Sequence, residues 1–257
     1  MIPGTSSIGL AGAPAAAAAE RAHRGTDAVS ATSAPRRPLV VEIIGPAGAG
    51  KSSLLRALRV VDPTMRRGRS LDSGALLAIA RRAPRWLPIV ARLALTTPDL
   101  ARQYARHLVR IETIDALFPR TTAEGDVVLL DEGPVFSIAL MLAFNDRARG
   151  YDAVARHLAP STDRWAPMLD ALVWLDADDS ILARRIRSRE KGHRIKGSSD
   201  ADTREFLARY RRAYESVTTR LADAGAAPIL RVDTSTTPIT AIVADVLAML
   251  ARLRDAR

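Results

Sequence analysis

A chain of 257 residues with 47% hydrophobic content can bury one substantial α/β core, and two full domains would be tight. The absence of cysteine excludes a disulfide framework and a thiolate metal site, and fits a reducing, cytoplasmic setting. A net charge of +10 suits a polyanionic partner, yet only 4% of residues are aromatic and no basic segment is interleaved with them, so nucleotide is expected rather than nucleic acid.

Met1 to Arg37 is rich in Ala, Ser, Gly and Pro, carries the simple tract Ala15–Ala19 and has no periodicity. It lacks the basic start and apolar middle of a signal peptide and reads as a disordered leader, or as a translation start placed too early. Residues 38–257 are expected to form one domain. No apolar run reaches membrane-spanning length, since Trp86–Thr96 is broken by Arg92, so no membrane partner is expected.

The first element, Leu39 to Ile44, is rich in β-branched residues and short enough for a buried strand. Gly45-Pro46-Ala47-Gly48-Ala49-Gly50-Lys51-Ser52 follows and reads GxxxxGK[ST]. A helix then runs from Lys51 through Ser53 to Val61, with Leu54, Leu55, Leu58 and Val61 on one face. Strand, glycine loop and helix together form a phosphate-binding loop, in which backbone N–H groups converge on an anion at a helix N-terminus. Lys51 is expected to reach the β- and γ-phosphates of ATP, and the Ser52 hydroxyl to hold Mg²⁺. Of the 38 Lys and Arg residues only Lys51, Lys191 and Lys196 are lysine, leaving 35 arginines. A lysine kept under that bias marks a place for a compact ammonium.

Residues 62–118 are the expected acceptor region: a Pro/Arg-rich stretch, then helices over about 71–82, 86–95 and 98–118, the last with Leu100, Tyr104, Leu108, Ile111 and Phe118 near one face. No convincing second strand is visible there. Val127–Asp131 is a buried strand that ends in a carboxylate, the Walker B arrangement, and makes Asp131 the second candidate Mg²⁺ ligand. Glu132 follows, then an apolar helix from Val135. Ala171–Asp176 is a further strand, and its following helix carries Arg184, Arg185, Arg187 and Arg189. Arg185 and Arg189 lie four apart on one face and lead into a basic, glycine-punctuated loop. That segment, about 185–200, reads as a lid over phosphates or as a solvated helix face. Thr203–Leu221 is an amphipathic helix, Pro228–Asp233 a last strand, and the final helix carries Ile239, Ile242, Val243, Val246, Leu247 and Leu250 as a core stripe. His107 and His157 fall in helices as structural or surface residues, and no histidine has metal-ligand spacing.

The order GPAGAGKS, VVLLD, LVWLDADDSILARRIRSREKG and PILRVD resembles the thymidylate kinase-like branch of P-loop nucleotide kinases. The resemblance implies a three-layer α/β/α fold with a parallel sheet of about five strands in the order 2-3-1-4-5. It also implies ATP and Mg²⁺ as cosubstrate and metal, and a small-molecule acceptor, most simply a nucleotide or nucleoside. Arg185-Ile186-Arg187-Ser188-Arg189 matches the family's lid motif, which makes Arg185 and Arg189 phosphate-contacting candidates beside Lys51. One departure stands out: the family usually has arginine after the strand aspartate, and this chain has Glu132. A carboxylate there suits a general base for a hydroxyl or water rather than a grip on a monophosphate. Three alternatives stay open: an ATPase, an ATP-binding regulator, and a kinase of a sugar or antibiotic hydroxyl. An ABC-type domain is disfavoured by the absence of any Gly-Gly dipeptide. A homodimer is the protein partner kept open.

Overall fold

The computed structural model describes residues 37–68, 73–121, 127–144, 151–189, 195–225 and 227–257. Residues 1–36 of the expected leader and Lys191 lie outside the described residues, while Arg37, read as the leader's last residue, is ion-paired with Asp170 at 2.8 Å. β1 (Leu39–Ile44) is buried along its whole length and leads into α1 (Lys51–Val61). β2 (Arg66–Arg67), α2 (Ser73–Thr96) and α3 (Pro98–Thr121) follow, then β3 (Val127–Asp131) and α4 (Pro134–Phe144). α5 (Tyr151–Trp165) leads into β4 (Ala171–Asp176), α6 (Asp179–Arg187), α7 (Asp200–Asp223), β5 (Ile229–Asp233) and α8 (Ile239–Asp255).

The sheet is fully parallel with the order β2-β3-β1-β4-β5. Right-handed crossovers that travel in opposite directions from β1 place their helices on opposite faces. α1 therefore packs with α8 on one face, and α4 with α7 on the other. The register Ile43↔Asp131 brings the end of β3 level with the start of the phosphate loop. This is the point of strand-order reversal where open α/β sheets hold ligands.

α4 is buried from Val135 to Ala143 on nearly every side, because α3, α5, α7 and the sheet surround it. A helix apolar all round belongs in such a core. α7 buries Phe206, Tyr210, Tyr214, Val217 and Leu221, the stripe read from its sequence. In α8 the stripe departs from expectation at Ile239, which is 40% exposed.

The second strand of the expected order, which the sequence did not locate, is the two exposed residues Arg66 and Arg67 paired with Val128 and Leu129, and one expectation for the acceptor region is corrected. The separate helices over 71–82 and 86–95 are one helix, α2, with Pro84 and Pro88 inside it. Ala80, Pro84 and Pro88 are all exposed, so the carbonyls that lose their N–H partners to proline face water and the helix continues.

Candidate active site

The phosphate loop is built on glycines that no other residue could replace without strain. Gly45, Gly48 and Gly50 adopt φ of 136°, 89° and 93°. A Cβ on Gly45 would meet the Leu175 carbonyl oxygen at 2.0 Å, so loop and β4 touch backbone to backbone there. Lys51 Nζ donates to the Gly45 and Pro46 carbonyls at 2.6 and 3.0 Å, and the Tyr214 hydroxyl donates to Gly45 O at 3.2 Å. The ammonium also lies 5.9 Å from the centre of the Phe136 ring.

Burial pushes the Lys51 ammonium from 10.5 down to about 8, Asp131 and Glu132 pull it back up, and Arg189 lowers it further. A triphosphate needs the charged form. Its affinity should therefore hold below pH 8 and weaken as the pH rises through about 8, where the ligand-free side chain loses its proton. Titration with a fluorescent ATP analogue across that range checks this, and a flat profile would contradict it.

Asp131 ends β3 with a side chain only 8% exposed, and Arg67 Nη2 lies 3.4 Å from its Oδ2. Ser52 is exposed at the first turn of α1. A hydroxyl and a carboxylate are hard oxygen donors that fit Mg²⁺, which keeps several waters and takes its remaining ligands from substrate phosphates. A cluster of three protein acids is not needed, and none occurs among the described residues.

Glu132 adopts φ 62°, a left-handed conformation rare for a residue with a side chain. Its carboxylate accepts from Arg110 Nη1 of α3 at 2.6 Å. One turn back on α3, the His107 ring meets Phe136 edge-on at 6.1 Å. Burial, then Arg110 and Arg106, hold His107 near pKa 4, with Glu132 opposing, so the imidazole is neutral. Trp86 Nε1, Tyr104 OH, His107 Nδ1 and Ser137 Oγ are buried polar atoms with no hydrogen-bond partner among the described residues. They sit on α2, α3 and α4, where α3 packs against both of the others.

On the other side of the loop a cavity of about 420 Å³ is lined by Gly48, Gly50, Ser53, Arg185, Arg189 and Ile239. Arg185 forms its wall: Nη1 donates to Gly48 O at 3.3 Å and Thr234 Oγ1 at 3.0 Å, and Nη2 to Thr234 O at 2.9 Å. Arg189 is exposed at the mouth, and the Lys196 ammonium donates to its carbonyl. A larger groove of about 570 Å³ lies over Trp174, Arg211 and Glu215. Its two arginines are already paired, Arg211 with Asp176 at 2.7 Å and Asp179 at 2.6 Å, and Arg231 with Glu215 at 2.7 Å, and the rest of its charged lining, Asp178 and Asp233, is acidic. The smaller cavity is the one that opens onto the phosphate loop.

No protein-family model and no curated protein sequence matches the chain. Solved structures do. A thymidylate kinase from Candida albicans aligns with a TM-score of 0.53 at 15% identity, over 86% of this chain and 94% of that one. Deoxyadenosine kinase from M. mycoides with bound dATP gives a TM-score of 0.52 at 14% identity, over 83% and 100%. The same enzyme with dCMP and dCDP gives 0.50 at 12%, over 83% and 100%. The chain has the P-loop nucleotide-kinase fold.

Within that fold, Lys51, Ser52, Asp131 and Glu132 come together at the ends of β1 and β3, and Arg185 and Arg189 flank the neighbouring cavity. Sequence reading missed Arg67, Arg110, Tyr214 and Glu42. The first three meet the site through contacts across 64, 22 and 169 residues, which no local pattern encodes. Glu42 had a signal, as the only charged residue in a fully buried strand.

Proposed function

We propose that this chain is an ATP- and Mg²⁺-dependent kinase that moves the γ-phosphoryl group onto a hydroxyl of a small nucleoside- or nucleotide-type acceptor. The carrying observation is Glu132, set in a left-handed turn directly after Asp131 and oriented by Arg110. In this reading the acceptor hydroxyl gives its proton to the Glu132 carboxylate while its oxygen attacks the γ-phosphorus. The bond from that phosphorus to the β–γ bridging oxygen breaks, and ADP leaves with the electron pair. Ser52 and Asp131 would hold Mg²⁺, which would supply charge neutralisation on the phosphates. Lys51 holds the phosphate oxygens, and the cavity walled by Arg185 takes the nucleoside part of ATP.

A further observation favours this reading: the similar folds belong to a thymidylate kinase and a deoxyadenosine kinase.

A thermal-shift screen of nucleosides, nucleoside monophosphates and sugars with a non-hydrolysable ATP analogue tests the acceptor class. Once an acceptor is found, Glu132→Gln should slow turnover by about 10²-fold or more with nucleotide affinity nearly kept. Asp131→Asn should instead raise the Mg²⁺ concentration that half-saturates the rate. Full activity of Glu132→Gln toward every acceptor would remove the general-base role. Arg189→Ala should cut turnover about tenfold, near 1.4 kcal/mol, with a smaller change in ATP binding. A kinetically silent Arg189→Ala would assign that residue to the solvated surface.

A further inference from the structure

α4 begins without a capping residue of its own. Its first helical hydrogen bond runs from Ser137 N to Gly133 O at 3.0 Å, which makes Gly133 the N-cap, and glycine has no side chain to offer. Pro134 follows at the first helical position and has no N–H. The amides of Val135, buried, and Phe136, half-buried, remain outside the helical ladder. Both are met by Glu42, which lies 93 residues away in the middle of β1: Oε2 accepts from Val135 N at 3.0 Å and Oε1 from Phe136 N at 2.7 Å. One carboxyl thus completes the donor accounting of the helix start from across the sheet.

The arrangement is tight. A Cβ on Gly133 would come within 2.6–2.9 Å of the three carboxyl atoms of Glu42, so the missing side chain at the cap and the acid that replaces it fit one space. The turn held in this way is the one that carries function. It directly follows Asp131, contains the left-handed Glu132, and ends at Phe136, whose ring lies beside both Lys51 and His107. β1, to which Glu42 belongs, runs directly into the phosphate loop. A carboxyl buried to 0% exposure is costly to retain, and such a group persists only where its hydrogen bonds are firm.

We infer that Glu42 is a positioning residue: it caps α4 from β1 and so fixes Asp131 and Glu132 relative to the phosphate loop. The inference rests on the reading of Asp131 as a Mg²⁺ ligand, while the cap itself can be measured without any nucleotide.

The experiment compares the full chain with Glu42→Ala, Gly133→Ser, their combination and Glu42→Gln. Amide hydrogen exchange at Val135 and Phe136 reports the cap. Binding of a fluorescent non-hydrolysable ATP analogue, with Mg²⁺ and with EDTA, reports the positioning. In Glu42→Ala the two amides should exchange at least about tenfold faster. The Mg²⁺-dependent gain in analogue affinity should fall about tenfold, while the affinity in EDTA, set by the phosphate loop, stays within about twofold. Gly133→Ser alone should also destabilise, by crowding the carboxyl. The pair should be less damaging than the two single changes added, because a serine hydroxyl can cap locally once the carboxyl is gone, and slow exchange should return. Glu42→Gln keeps the volume and one acceptor oxygen, so it should fall between wild type and alanine, and it serves should Glu42→Ala fail to fold.

Unchanged exchange in both Glu42 variants would refute the cap. Faster exchange with an unaltered Mg²⁺-dependent gain would leave Glu42 a purely structural residue and overturn the positioning role. If the unmodified chain binds no analogue at all, the nucleotide reading falls and takes the positioning role with it, while exchange still decides the cap.

Discussion

Replacing Lys51 by alanine should lower nucleotide turnover by about 10³-fold or more, the range expected when a preorganised cation is removed from a developing phosphoryl charge. The fold should survive. Gly45 O keeps a donor in the Tyr214 hydroxyl at 3.2 Å, and the loop's shape is set by its glycine conformations rather than by the ammonium. The stability loss is then limited to the Lys51 bonds to Gly45 O and Pro46 O, about 1–2 kcal/mol. Lys51→Arg should not rescue. The ammonium fits between two carbonyls and the Phe136 ring, where a planar guanidinium has neither the room nor a bidentate partner. Circular dichroism together with analogue binding separates these outcomes: wild-type affinity and rate in Lys51→Ala would remove the phosphate role.

Gly45→Ala should give the largest stability loss of any single methyl addition in the loop. Its φ of 136° is a conformation that side-chain-bearing residues avoid, at about 1–3 kcal/mol, and the new Cβ would stand 2.0 Å from a backbone carbonyl of β4. Backbone in a central strand cannot swing aside as a side-chain tip can, so overpacking adds a further 1–3 kcal/mol or so. Gly50→Ala is the matched control. It shares a positive φ, 93°, but nothing lies within 4 Å of its added methyl, so it should lose only the conformational part, about 1–2 kcal/mol. Urea midpoints for the two variants measure the difference. Equal losses would show that backbone conformation alone decides, and that the approach to Leu175 relaxes freely.

The phosphate loop, the four longer strands and the helices that bury apolar stripes were legible because each is written locally, as a β-branched run, a glycine spacing or a helical period. β2 was not. It is two exposed arginines, and it is a strand only because of its register with Val128 and Leu129 and the Gly68 N–H bond to Leu129 O at 2.9 Å. The split of α2 was misread because proline usually ends or kinks a helix, whereas here the helix runs on through Pro84 and Pro88 at its exposed face. Ile239 looked like core from its period, yet position at the helix start gives it to the cavity rim. Glu132 was visible as a residue, but its partner Arg110 was one of 35 arginines, and only the packing of α3 against α4 selects it.

The two margins of the sheet carry a last consequence. At one margin stands β2, two residues long and both arginine, and at the other β5, whose Arg231 lies back over the Trp174 ring at 4.2 Å. An open parallel sheet invites a foreign strand to add to its rim, and short, cationic rims are a known defence against such templated growth. A strand docking on β2 would find only two ladder positions and meet like charge if it came from a second copy of this arginine-rich chain. The β2 rim thus disfavours templated strand addition at that margin of the sheet.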